Sequence, residues 1–254
     1  MNVIILAGGF GSRLSEYTES IPKPMVSIGN KPILWHIMNI FSSYGHNNFK
    51  LALGYKADVV IDYFINYKLF NSNVYIDLGN GDINMDSNDE LKWKVTMVNT
   101  GLNTMTGGRL KRMRPFIDNE TFLLTYGDGL SNVNLDELID FHKSHGKLIT
   151  VTAVHPLARF GELNIVNNKV EEFLEKPQIN MGWINGGFFV VEPEFLDLIN
   201  DDTTVLEKTP LEEASRIGEL MAYKHSGFWQ CMDTRRDRDF LNDLCSLPNK
   251  PWLS

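Results

Sequence analysis

The chain has 254 residues, 43% of them hydrophobic and 22% charged, which suits one large core in an ordinary globular protein. Its formal net charge of -8 argues against nucleic acid or a membrane surface as a partner, because both draw their affinity from basic patches. Any polyphosphate must then be held by a few locally placed cations. No 18-residue apolar run occurs, and the start (Met1-Asn2-Val3) has neither a basic n-region nor a cleavage site, so the sequence reads as cytoplasmic. There Cys231 and Cys245 are expected as free thiols, and their spacing gives no zinc signature.

In chain order, Val3–Ala7 reads as a buried apolar strand running straight into a glycine-rich loop, Gly8-Gly9-Phe10-Gly11-Ser12-Arg13. Pro32 opens a helix whose apolar residues Ile33, Ile37, Ile40, Phe41 and Tyr44 recur at helical spacing until Gly45. Strands are predicted at Lys50–Leu53, Val74–Leu78 and Lys94–Val98, with a helix over Ala57–Phe70 and an exposed, turn-rich insertion at Gly79–Glu90. A basic helix, Gly107–Arg114, precedes the strand Phe122–Tyr126, which ends at Gly127-Asp128-Gly129. Asn134 is placed to cap a helix over Leu135–His145, and Leu148–Val154 returns to strand. Then come a hairpin (Glu162–Val166, Val170–Glu175), an apolar strand Trp183–Val191, and short helices at Pro193–Ile199 and Leu211–Ile217. Last are strands at Leu220–His225 and Phe228–Cys231 and a helix capped by Thr234. Strands alternating with helices predict an α/β fold with a Rossmann-like mixed, mostly parallel sheet. No repeat or linker divides the chain. The expectation is one domain, residues 1–254, with a nucleotide-binding half to residue 150 and a second half, 151–254, that completes the site.

The glycine loop carries the first functional expectation. Backbone N–H groups at a strand end suit phosphate oxygens, and Arg13 with Lys23, the latter between Pro22 and Pro24, adds two cations. It fits neither the Rossmann fingerprint, because Leu14 stands where the third glycine belongs, nor Walker A. Asp128 at a strand end between two glycines has the exposed carboxylate that a phosphate-bound magnesium favours, or it is a common Asp-Gly turn. Asp233 is its candidate partner, or a charge that favours a helix start. Lys176 beside Pro177 suits a second phosphate, or is a surface turn lysine. Asn185-Gly186-Gly187 marks a close approach of ligand or backbone, or a bulge. The six histidines show no metal spacing and read as structural or surface residues.

Taken together, Leu6–Leu14, Pro22-Lys23-Pro24-Met25, Gly127-Asp128-Gly129, Glu175-Lys176-Pro177, Asn185-Gly186-Gly187-Phe188 and Met232-Asp233-Thr234 resemble, in that order, the sugar-1-phosphate nucleotidylyltransferases. The likeness is greatest to the cytidylyl branch, through Lys31–Met38, Met105–Arg112 and Gly227–Gln230. The resemblance implies that Leu6, Ala7, Gly8, Gly9, Phe10, Gly11, Ser12, Arg13, Lys23, Thr104, Arg109 and Gly127 hold the nucleotide. It implies that Gly161, Glu175, Lys176 and Asn185 hold the sugar phosphate, and that Asp128 and Asp233 hold Mg²⁺. Arg13, Lys23 and Lys176 would be the catalytic cations. It further implies CTP and glucose 1-phosphate as substrates, a product feeding deoxysugar and O-antigen (lipopolysaccharide) biosynthesis, and a homo-oligomer, a hexamer in that branch. The rival readings are a thymidylyl or uridylyl transferase and, more distantly, a non-catalytic nucleotide-sugar sensor.

Overall fold

The computed structural model describes residues 1–86, 91–156, 162–166, 169–174 and 182–253. Its centre is an eight-stranded mixed sheet. Four strands run parallel and adjacent in the order β3 (Lys94–Asn99), β2 (Asn48–Leu53), β1 (Asn2–Leu6) and β4 (Phe122–Tyr126). β5 (Gly129–Ser131) follows β4 directly but lies outside the central sheet. β6 (Ile149–Val154) is reached through an antiparallel partner formed by β7 (Ile184–Asn185) and β8 (Phe189–Val191), and β9 (Leu220–His225) adds in parallel to β6.

The sheet is buried on both faces, which is why β1 and β4 are almost uninterrupted apolar runs. Because successive side chains alternate, Val3, Ile5 and Leu123 enter one core with α1 (Ile33–Ser43), α4 (Leu135–His145) and Trp252. Ile4, Leu6, Phe122 and Leu124 enter the other, with α3 (Thr106–Arg112), α5 (Thr209–Arg216), Phe189 and Phe195. The central strands sit deepest, so their carboxyl ends are fixed, and the glycine loop and Gly127-Asp128-Gly129 both open there.

Several boundaries differ from the sequence reading. Asn73–Ile76 does not join the central sheet; it pairs antiparallel with Ile83–Asp86, so the segment taken as a turn-rich insertion supplies half of a hairpin, exposed along its length. The turn is closed by Asp77, whose N–H donates to Asp82 and whose carbonyl accepts from Gly81 (φ +82°). The helix expected over 57–70 breaks at Asn66, whose amide bonds back to Asp62, leaving α2 (Ala57–Ile65) and a short turn, Tyr67–Phe70. The apolar run 183–191 is interrupted between β7 and β8, where Gly187 (φ +76°) and Phe188 (φ +46°) take left-handed backbone conformations. A Cβ on Gly186 would lie 2.7 Å from Val154 and 3.0 Å from the Thr152 carbonyl, so the glycine there serves close backbone packing at a bulge. The strand pair Glu162–Val166 and Lys169–Leu174 is present as expected. The Asn134 cap is also present, its side chain accepting from Asp136 and Glu137.

Candidate active site

The glycine loop leaves β1 with the Ala7 N–H on the Ala52 carbonyl (3.0 Å) and the Gly8 carbonyl on the Tyr55 N–H (3.0 Å). Gly8 is needed because Arg109 lies beneath it: a Cβ would fall 2.4 Å from the guanidinium. Arg109, 4% exposed, donates to the carbonyls of Leu53, Gly101 and Leu102 and to the Thr100 hydroxyl. It thus braces the floor of the loop. Thr104, also buried, precedes α3, with its hydroxyl against Gly101. Gly9, Phe10 and Ser12 are exposed, and Phe10 rests on the Tyr55 ring at 5.3 Å. Gly11 (φ +64°) turns the chain into the short helical segment Ser12–Leu14, which carries Arg13 outward.

Lys23 opens a 3₁₀ turn, Lys23–Met25, and Pro24 packs on Gly127, where a Cβ would be 2.9 Å from the proline ring. That contact seats Lys23 Nζ 2.7 Å from Asp128 Oδ2 and 2.6 Å from Asp233 Oδ1. Asp233 is brought there by β10 (Trp229–Cys231), which pairs antiparallel with β5 so that Cys231 faces Gly129 and the Met232 N–H donates to the Asp128 carbonyl at 2.8 Å. The next helix, α6 (Arg235–Cys245), starts in a capping box. Thr234 accepts from the Asp237 N–H, and the Asp237 carboxylate accepts from the N–H groups of Thr234 and Asp233. Arg13 completes the cluster through its guanidinium on Asp233. Two cations from one N-terminal segment and two carboxylates from two distant segments therefore meet at one point.

Burial alone would lower the Lys23 pKa, but Asp128 and Asp233 outweigh it and hold the ammonium above the ordinary lysine value. Cys231, next to this cluster, is pushed up to about 12, first by burial and then by Asp233 and Asp128, so its thiol is inert at neutral pH. His142, against Thr150 and Glu192, has a structural setting, as the sequence suggested.

Of the expected sugar residues, Asn185 is exposed on β7 and donates to the Tyr126 hydroxyl at 3.1 Å. Gly161, Glu175 and Lys176 lie outside the described residues. Tyr126, the partner of Asn185, is marked in the sequence only by its place in the stretch Thr125–Gly129. A cavity of about 270 Å³ lined by Phe64, Ile65, Tyr67, Trp93, Val95 and Met97 is built by other residues than this cluster, between α2 and the edge strand β3.

A glycine-rich loop at the central strand, with paired carboxylates and cations at the neighbouring strand end, suits a protein that handles nucleotide phosphates. The chain belongs to the nucleotidyl transferase family, whose pattern matches residues 2–230. It is 48% identical over 253 residues to the glucose-1-phosphate cytidylyltransferase of Salmonella typhi, covering 99% of this chain and 98% of that protein. It is 30% identical to mannose-1-phosphate guanylyltransferase 1 of Arabidopsis thaliana, covering 96% of this chain and 64% of that protein. Among solved structures, HddC from Yersinia pseudotuberculosis superposes with a TM-score of 0.70 at 24% identity, covering 95% of this chain and 98% of that one, a likeness of fold.

Proposed function

We propose that this enzyme transfers the cytidylyl group of CTP to α-D-glucose 1-phosphate, giving CDP-glucose and pyrophosphate. The observation that carries the substrate assignment is the 48% identity across nearly the whole of both chains to a glucose-1-phosphate cytidylyltransferase, against 30% to a guanylyl enzyme acting on mannose 1-phosphate. The convergence of Arg13, Lys23, Asp128 and Asp233 supports the chemistry.

The phosphate of glucose 1-phosphate is ionised at neutral pH and needs no general base. One of its oxygens attacks the α-phosphorus of CTP in line; that P–O bond forms as the bond to the β-phosphate oxygen breaks, and pyrophosphate carries away the electron pair. The barrier is charge repulsion, so positioning and cations do the work. In this reading the loop Leu6–Arg13, with Gly127, receives the nucleotide, and Thr104 and Arg109 shape its wall. Arg13 and Lys23 stabilise the leaving pyrophosphate. Lys176 anchors the sugar phosphate in line, with Glu175, Gly161 and Asn185 around the sugar.

Mg²⁺ fits the paired carboxylates. Asp128 and Asp233 both reach one ammonium, so they face a common point, and magnesium takes one or two carboxylates and completes its shell with phosphate oxygens and water. Among the described residues no group of three or more His, Cys, Asp and Glu side chains gathers. When bound, the ion would offset phosphate charge.

We further infer a homo-oligomer, with the hexamer of the cytidylyl branch as its form. Tyr75, Ile76, Leu78, Ile83 and Met85 stand exposed on the hairpin of the single chain, an apolar patch of the kind that subunit contacts cover. A monomeric mass by light scattering would overturn this. Among the described residues no helix is long and apolar enough to cross a membrane, which is compatible with the cytoplasmic location expected for such an enzyme.

The direct test is pyrophosphate release with Mg²⁺ and glucose 1-phosphate, comparing CTP, UTP, dTTP, ATP and GTP. CTP should be strongly preferred. Equal or faster turnover with UTP or dTTP would remove the base assignment and keep the chemistry. No release with any nucleotide, followed by none across a panel of sugar 1-phosphates, would favour a sensor.

A further inference from the structure

Tyr55 stands in the turn between β2 and α2, and it reaches the glycine-loop segment at three places. Its N–H donates to the Gly8 carbonyl at 3.0 Å, where the loop begins. Its ring lies 5.3 Å from that of Phe10, in the middle of the loop. Its hydroxyl donates to the Thr18 carbonyl at 2.9 Å, past the loop's far end. The next residue, Lys56, continues the attachment: its ammonium donates to the Glu19 carbonyl and lies 5.5 Å from the centre of the Tyr55 ring. Thr18 carries the contact back into the loop. It is 4% exposed, and its hydroxyl lies 3.2 Å from the carbonyl oxygens of both Gly11 and Leu14. Its methyl group packs against Gly11, where a Cβ would be only 2.9 Å away.

These attachments use the loop's carbonyl groups and the Phe10 ring. Among the described residues, the N–H groups of Gly9, Phe10 and Gly11 donate to no backbone carbonyl. A loop that keeps its donors for an anion has to be held through its acceptors and side chains. Ordering a free loop costs conformational entropy at each binding event, and a loop fastened at both ends and in the middle is spared most of that cost.

We propose that Tyr55 is a positioning residue that fastens the glycine loop in its nucleotide-receiving shape. This rests on the reading of that loop as the nucleotide site given above. The contribution of Tyr55 passes through the loop, so the turn after β2 takes part in receiving the nucleotide alongside the loop after β1.

The test compares wild type, Tyr55→Phe, Tyr55→Leu, Phe10→Leu and the Tyr55→Leu, Phe10→Leu double variant, each with its circular dichroism matched to wild type. Tyr55→Phe removes the bond to Thr18 and keeps the ring. It should raise the KM for CTP by about 3- to 10-fold, the worth of one hydrogen bond, while kcat and the KM for glucose 1-phosphate stay within about twofold. Saturating CTP orders the loop in either enzyme, which is why kcat is spared. Tyr55→Leu removes the ring as well and should raise the KM for CTP by about 10- to 100-fold. Because the two rings meet, the double variant should be impaired less than the product of its single changes; multiplicative effects overturn the part given to the ring. A Tyr55→Phe enzyme with the wild-type KM for CTP overturns the proposal. So does one whose KM rises equally for both substrates, the mark of a general structural fault. If Tyr55→Leu does not fold, Tyr55→Phe decides alone. The fastening is also read without turnover. Hydrogen exchange of the Leu14 amide, which donates to the Gly11 carbonyl, should be at least about threefold faster in Tyr55→Phe than in wild type, and an unchanged rate overturns the proposal. A wild type that releases no pyrophosphate with any nucleotide overturns the function, and the exchange rate still decides whether Tyr55 holds the loop.

Discussion

Lys23 is the most constrained residue of the charged cluster. Its side chain is 13% exposed, it touches two carboxylates, and Pro24 is fixed against Gly127. A charged group in this setting acts from a prepared position, which is the condition for stabilising developing phosphate charge without reorganisation. Lys23→Ala should lower kcat by about two to three orders of magnitude, the range for loss of one preorganised electrostatic contact. Asp128→Asn should act in the same direction, with circular dichroism unchanged in both. Near-wild-type turnover in either variant would remove the assigned role. Arg109 illustrates a different kind of contribution: its guanidinium is spent on four protein oxygens, and its effect on a nucleotide passes through the loop above it.

At the scale of elements, the site depends on how one helix begins. α4 and α6 both start with a side-chain cap, Asn134 and Thr234. Loss of such a cap costs about 1 kcal/mol wherever it sits. Only the α6 cap is tied to the charged cluster, because Asp237 also holds the Asp233 N–H at 3.1 Å. Thr234→Ala and Asn134→Ala should therefore lower the urea midpoint by similar amounts, while Thr234→Ala alone should depress kcat. Equal turnover in the two variants would show that the cap has no part in aiming Asp233.

For the molecule as a whole, four histidines set the acid limb of stability. His36, His46, His145 and His225 all lie below the ordinary value of 6.5, burial being the first cause for each. His36, 3% exposed, holds its Nε2 at 2.9 Å from the Ile28 carbonyl, inside the core shared by α1 and Trp252. A base with a lowered folded pKa is protonated more readily in the unfolded chain. The stability is thus complete above about pH 6.5 and is lost as pH falls toward the folded values, at about 1.4 kcal/mol per pH unit for each proton taken up on unfolding. The urea midpoint should be lower at pH 5.5 than at pH 7.5. A flat or opposite trend would mean that these rings are not held neutral.

The amino-acid sequence by itself determined the class of fold and most of the chemistry. The unbroken apolar runs at Val3–Leu6 and Phe122–Leu124 require a sheet covered on both faces, and the caps at Asn134 and Thr234 are local signals read from a few neighbouring residues. Lys23 was identifiable as a candidate because a lysine stiffened by two prolines is unusual locally, whereas Asp128 and Asp233, each equally at home in a common turn or at a helix start, became candidates through the ordered set of motifs they belong to. Their meeting was not legible, since it depends on the pairing of β5 with β10 across a separation of about a hundred residues and on a proline packing against a glycine. The same limit hid the Asn73–Asp86 hairpin: Val74–Ile76 has the composition of any strand, and only competition for the sheet edge decides its partner. It also hid the bond from Asn185 to the Tyr126 hydroxyl, which forms only when two separate strands are brought side by side. Short-range propensity sets what each segment can become, whereas register and polar pairing between distant segments are fixed by the packing of the entire core.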